Sequence, residues 1–190
     1  MRQGTKPLRE GSKLDLPLIL AAAFAVLDTH GFDGLSLRLV AKHLEVQPPA
    51  LYWHVRNKAA LINLMAGTFS DYAALSKIGG RDWREKLTLF ARGMREVMMR
   101  HRDAARLSLA AQPTHDPADV AQRLAAPLME SGLSARQAVS YHASVIAYTL
   151  GWVAYEQSQS MHDFLARMIN FTESFENGLQ AMIDGFRGPS

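Results

Sequence analysis

Apolar positions along the 190-residue chain recur at three-to-four-residue spacing almost throughout, and no segment alternates convincingly with a period of two. That pattern predicts an all-α protein. Ile19, Ala22, Ala23, Val26 and Leu27 mark one face of a helix over about 15–30, with Asp15 as its N-cap, Pro17 in its first turn and Gly31 beyond its end. Phe32 and Leu35 lead into a short helix capped by Ser36, with Leu39, Val40 and Leu44 inward. After a break at 45–47, a third helix starts at Pro48 or Pro49, since proline suits a first helical position whose amide has no intrahelical partner. Leu51 and Val55 give it a core face, and Asn57 reads as the cap of a fourth helix over about 58–76.

Gly79-Gly80 is a hinge candidate. Beyond it the periodicity predicts helices at about 82–101, 103–111, 118–131, 134–158 (cap Ser134) and 161–186, with Pro113 and Pro117 bracketing a loop. The last segment carries a long apolar stripe, Phe164, Met168, Phe171, Phe175, Leu179, Met182 and Phe186, which calls for a partner. Together with Leu124 and Leu128 of the 118–131 segment, two copies of this stripe predict a four-helix homodimer seam.

Helices of about eight residues are marginal alone in water. The apolar faces of 15–30, 36–44 and 48–55 therefore predict a tri-helical unit whose second and third helices form a helix-turn-helix. With Leu51 and Val55 inside, Gln47, Pro49, Ala50, Tyr52, Trp53 and His54 remain near the outer side of the third helix. Gln47 can pair with adenine, and Pro49 and Ala50 can press on a thymine methyl in the major groove. Arg38 can reach guanine or backbone, while Arg56 and Lys58 can neutralise phosphates. Packing is the alternative for Trp53, whose indole would seal the unit against the next helix.

Charge adds to that picture. The net charge of +3 resides in residues 1–60, which hold eight Lys/Arg against five Asp/Glu; the rest is balanced at thirteen of each. An excess at one end suits a polyanionic partner. Hydrophobic residues make up 48% of the chain and charged ones 21%, as in a folded soluble protein. No apolar run reaches about 18 residues, so no membrane span is expected, and the polar N-terminus is no export signal. The absence of cysteine removes disulfides and thiolate metal sites and is compatible with a cytoplasmic setting. No HExxH, nucleophile elbow or glycine-rich phosphate loop occurs, so an enzyme is not expected; His101 and Asp103 read as ties at a helix junction.

The stretches AAAFAVLDTHGFDGLS, LSLRLVAKHLEV and QPPALYWHVRNKAALINLMA resemble the N-terminal domain of the tetracycline-repressor (TetR) family of bacterial transcriptional regulators. HRDAARLSLAAQPT and YTLGWVAYEQ resemble the branch of the tetracycline repressor itself. The resemblance implies a homodimer with two DNA-binding heads on a helical body. An effector entering that body changes the separation of the heads and releases a palindromic operator. Three regions follow: a flexible basic N-terminus (1–14), a helix-turn-helix DNA-binding domain (15–60) and a helical effector-binding and dimerisation domain (61–190). Ser36, Arg38, Gln47, Pro49, Tyr52, Trp53, His54 and Lys58 match family positions at or near DNA. Glu45 stands where the family usually has a left-handed glycine, Leu37 where the archetype has a hydroxyl residue, and Pro48 where it has a base-reading glutamine. The same docking on a different operator follows.

In the body, Ser108 and Gln112 replace a histidine and an arginine of the archetype's magnesium–tetracycline site, and Tyr155 replaces an acidic residue. Magnesium needs close oxygen ligands, so neither metal nor cofactor is expected. Phe90, Met94 and Met98, with Tyr141, His142, Tyr148, Trp152 and Tyr155, predict a site for a small hydrophobic or aromatic effector; ordinary core packing is the alternative for each. The competing function is a helical protein–protein adaptor that never reads DNA.

Overall fold

The computed structural model describes residues 14–72, 79–112 and 116–188. Residues 1–13, and with them nearly all of the expected basic arm, lie outside the described residues, as do the end of the fourth predicted helix (73–76) and Pro113. The described chain is all-α, an N-terminal helix-turn-helix followed by a larger helical bundle. It divides into two compact units: residues up to Gly67 together with His101–Gln112, and Thr68–Arg100 together with the residues after 112.

In the first unit, α1 (Leu16–Gly34) starts where Asp15 accepts a hydrogen bond from the Leu18 amide at 3.0 Å. It breaks at Gly31, whose φ of 70° is left-handed and where a Cβ would lie 2.9 Å from the Asp103 carboxylate; only glycine meets both demands. By length and composition α1 could cross a membrane, yet Ile19, Ala22, Ala23, Val26 and Leu27 are buried in the unit's own core. Ser36 caps α2 (Leu37–His43) by accepting from Leu39 N at 3.3 Å, and α3 (Pro48–Tyr52) opens on its proline pair. Asn57 caps α4 (Lys58–Tyr72), accepting from Ala60 N at 2.8 Å.

The turn between α2 and α3 is a Schellman closure. Val46 N donates to Ala41 O at 3.0 Å and Glu45 N to Lys42 O at 3.2 Å, with Glu45 left-handed at φ 56°. The turn thus keeps the shape that a glycine would favour, and Glu45 carries its strain. Inside the unit, Leu37, Val40 and Leu44 are buried while Leu39 is only half-buried, which corrects its inward assignment.

The first unit is completed from far along the chain by α6 (Ala104–Ala110). His101 Nδ1 shares a hydrogen bond with Asp28 at 3.1 Å, and Arg102 N donates to the same carboxylate at 2.9 Å. Asp103 accepts from Phe32 N at 2.8 Å, while the Arg106 guanidinium grips both oxygens of Asp33 at 2.8 Å and lies over the Phe32 ring. The expected junction at 101–103 exists, and its partners are on α1.

The second unit contains α5 (Trp83–Met99), α7 (Pro117–Met129), α8 (Ala135–Gln157), α9 (Gln159–Leu165) and α10 (Phe171–Asp184). Asp82 caps α5, and Ser134 with Gln137 forms a reciprocal capping box on α8. Pro117 proves to be the first residue of α7, capped by Asp116, rather than the far edge of a loop. Leu87, Phe90, Met94 and Met98 of α5, Val145 and Val153 of α8, Leu128 of α7, and Phe175, Leu179 and Ile183 of α10 form the core.

The single helix predicted over 161–186 is corrected: it divides into α9 and α10 around Ala166–Asn170. Asn170 caps α10, accepting from Glu173 N at 3.0 Å. The spacing of Phe164, Met168 and Phe171 runs through the break and masks it.

Candidate nucleic-acid interface and ligand site

The proline-led helix α3 is short because Pro48 and Pro49 start it and the chain turns away after Tyr52, where His54 N and Val55 N both return to Leu51 O at 2.9 and 2.8 Å. Leu51 (0% exposed) and Val55 (1%) pin it to the core. That orientation leaves Gln47, Pro49, Tyr52, Trp53, His54 and Arg56 exposed, with Pro48 and Ala50 half-buried. Trp53 is 90% exposed, so its packing role is corrected: no neighbouring helix covers the indole within the unit. Arg38 is exposed on α2, and Ser36 is half-buried with its hydroxyl engaged as the α2 cap. Lys58 Nζ lies 3.4 Å from the Phe32 carbonyl oxygen and over the Phe32 ring, so this ammonium also braces α1. The surface therefore combines two exposed guanidiniums with an imidazole, an indole, a phenol and an amide, groups that suit phosphates, base edges and thymine methyls.

The residues expected at the effector divide between the units. Ser108 and Gln112 belong to the first. The Ser108 hydroxyl oxygen is buried with no hydrogen-bond partner, and the Gln112 amide donates to Asn63 Oδ1 at 2.8 Å while its side chain is exposed. Phe90, Met94, Met98, Tyr141, His142, Tyr148, Trp152 and Tyr155 belong to the second. Phe90, Met94 and Met98 are buried along α5. The Tyr141 hydroxyl donates to Arg187 O at 3.1 Å and its ring stacks on Phe186. The Tyr148 hydroxyl donates to Phe175 O at 2.8 Å and occupies the space over Gly178, and burial raises its pKa. Trp152 stands edge-on to Phe171 and Phe175, whereas Tyr155 is 48% exposed.

His142 differs from all of these. It is 2% exposed, its ring meets Phe90 edge-on with centroids 4.4 Å apart, and neither ring nitrogen has a hydrogen-bond partner. Burial pushes the imidazole down from its ordinary 6.5 to about 4, so it is neutral at pH 7.

Sequence reading did not find the ion pair between α5 and α8. Arg95 donates to both oxygens of Glu156 at 2.8 and 2.7 Å, with side-chain exposures of 18% and 7%, and its guanidinium also lies over Phe175. Arg92 pairs with Glu176. Of the stripe expected at a dimer seam, Leu128, Phe175 and Leu179 are buried within their own chain. Phe164 and Met168 are 59% and 60% exposed, and Leu124, Phe171, Met182 and Phe186 are half-buried.

Comparison with known proteins agrees with this architecture. Residues 19–65 match the family described as bacterial regulatory proteins, tetR family, and residues 77–173 match the tetracyclin repressor-like C-terminal domain. The tetracycline repressor protein class A from transposon 1721 of Escherichia coli is 34% identical over 149 residues, covering 77% of this chain and 69% of that protein. Among solved structures, TetR from Acinetobacter baumannii AYE superposes with a TM-score of 0.75 at 30% identity, over 92% of this chain and 97% of that one. TetR(class A) in complex with 5a,6-anhydrotetracycline and magnesium gives 0.72 at 31% identity, over 91% and 98%. The chain belongs to the TetR family of bacterial transcriptional regulators, with a C-terminal domain of the tetracycline-repressor type.

Proposed function

We propose that the protein is a repressor that binds a palindromic DNA operator as a homodimer and releases it when a small hydrophobic or aromatic effector enters the second unit. The observation that carries the reading is the orientation of α3: Leu51 and Val55 are buried, and Tyr52, Trp53 and His54 are turned outward beside Arg38 and Arg56. A short helix so anchored presents its outer side with little ordering cost on binding.

Pro48, Pro49 and Ala50 offer no side-chain hydrogen bonds, so thymine methyl contacts carry much of the readout there, with Gln47 and Arg38 as the polar readers. Two such heads on a two-fold dimer read half-sites about one helical turn apart. Phe164 and Met168, exposed in one chain, are the most accessible parts of the apolar stripe for a second copy, beside the half-buried Leu124, Phe171, Met182 and Phe186.

The magnesium present in the class A complex does not suit this chain. Tyr155 offers a phenol in place of a carboxylate, and the neighbouring Glu156 has both oxygens held by Arg95. Among the described residues no group of three or more His, Cys, Asp or Glu could hold a metal ion. An effector that binds through apolar contact and hydrogen bonds is the better match.

Selection of duplexes from a random pool tests the reading. A two-fold symmetric site should emerge, bound with an affinity that falls steeply as salt rises. Weak binding without sequence preference would refute operator recognition and favour a protein–protein adaptor.

A further inference from the structure

We propose that His142 is the polar anchor of the effector site and that the effector is an uncharged aromatic molecule carrying a hydroxyl group. The inference rests on the ligand-responsive reading above and specifies the chemistry it takes.

A neutral imidazole carries one N–H donor and one lone-pair acceptor. Both are buried without partners in His142, although a buried donor or acceptor is destabilising when its bond is left unmade. An apolar side chain of similar size would remove that cost. Among the described residues of the second unit, His142 alone is left in this state. The hydroxyls of Tyr141, Tyr148 and Thr149 are all engaged with backbone carbonyls. The orphaned ring also lies where an aromatic guest would be welcome: Phe90 is edge-on to it, and Met94 and Met98 on the same face of α5 have unbranched side chains that adapt to a ligand's outline.

Charge selects among ligands. On α5, Lys86 donates to Pro127 O, Arg92 is held by Glu176 and Arg95 by Glu156, so these cations are committed. The two carboxylates are occupied by the same pairs. A charged group buried beside His142 would have to draw a counter-ion away from these bonds, which is costly in this environment. A hydroxyl both donates and accepts, so it satisfies whichever ring nitrogen it meets, in either tautomer.

The test uses the full chain and three probes at neutral pH: 2-naphthol, 2-naphthoate and naphthalene. Thermal unfolding reports binding, since a ligand that binds only the folded state raises Tm. The expected result is a larger rise with 2-naphthol than with either of the others. His142→Leu without ligand should melt higher by at least about 2 °C, because an orphaned polar group has been removed, and should lose the naphthol-dependent rise. His142→Gln, which keeps a donor and an acceptor, should retain part of it.

The proposal is overturned if His142→Leu melts lower, if its response to 2-naphthol persists, if 2-naphthoate acts more strongly, or if no probe shifts the unmodified chain. Binding to the selected duplex is scored separately. Failure of the unmodified chain to bind any duplex would instead refute the regulator reading and leave the thermal result to be judged by itself.

Discussion

Replacing Glu156 by Ala tests how strongly α5 and α8 are held together. The substitution removes two charge-assisted hydrogen bonds, at 2.8 and 2.7 Å, and leaves the Arg95 guanidinium in a site where its side chain is only 18% exposed. Breaking a buried pair from one side costs about 3–5 kcal/mol, because the remaining charge stays desolvated. The Phe175 ring beneath Arg95 offsets about 1 kcal/mol of this, so a loss of about 2–4 kcal/mol is expected. With a urea slope near about 2 kcal/mol/M, the unfolding midpoint should fall by about 1–2 M. The double variant Arg95→Met/Glu156→Leu removes both charges and should recover to within about 1 kcal/mol of the parent, since the desolvation cost of the pair disappears with it. Urea titrations of the parent and the two variants give the comparison. A single-variant loss below about 1 kcal/mol, or a double variant worse than the single, would refute the claim that this pair is a desolvated tie.

Three further outcomes are expected. Trp53→Ala should leave Tm nearly unchanged and weaken operator binding in a gel shift, whereas Leu51→Ala, at a position with 0% exposure, should cost about 2–5 kcal/mol of stability; a large Tm loss for Trp53→Ala would show that the indole is packed. Glu45→Gly should relieve a left-handed strain of about 1 kcal/mol and raise Tm by about 2–4 °C, as read in a thermal melt; a lower Tm would refute the strain. Between pH 6.5 and about 4 the unfolded chain binds a proton at His142 that the folded chain refuses, so this contribution is full above 6.5 and falls with acidity by up to about 3 kcal/mol. The stability difference between the parent and His142→Leu should change across that window in urea titrations, and a pH-independent difference would contradict a neutral buried ring.

Local signals in the sequence were strong where one residue decides the backbone. Asp15, Ser36, Asn57 and Ser134 cap helices through their own side chains, and Pro48 begins one. The helix-turn-helix was legible because Leu51 and Val55 leave α3 a single way to face the core. The break between α9 and α10 lacks glycine and proline, and its only sequence signal was Asn170 three residues before Glu173, a capping pattern within an uninterrupted apolar stripe. Trp53 was ambiguous because the direction of an indole on a five-residue helix depends on where the next helix passes. The Arg95–Glu156 pair joins residues 61 positions apart, and nothing in either local segment announces the other. The orphaned state of His142 is likewise a property of its surroundings, since an ordinary core histidine reads the same in sequence.

The head is not a continuous stretch of chain. A fragment ending at Gly67 would lack α6, leaving the carboxylates of Asp28 and Asp33 and the Phe32 amide without the groups that meet them. Anyone grafting this reader onto a different sensor by cutting after residue 65, where the N-terminal family match stops, would discard part of the module being transplanted. A working chimera has to import His101–Gln112 as a second insert, which makes this regulator a two-piece component for synthetic circuits.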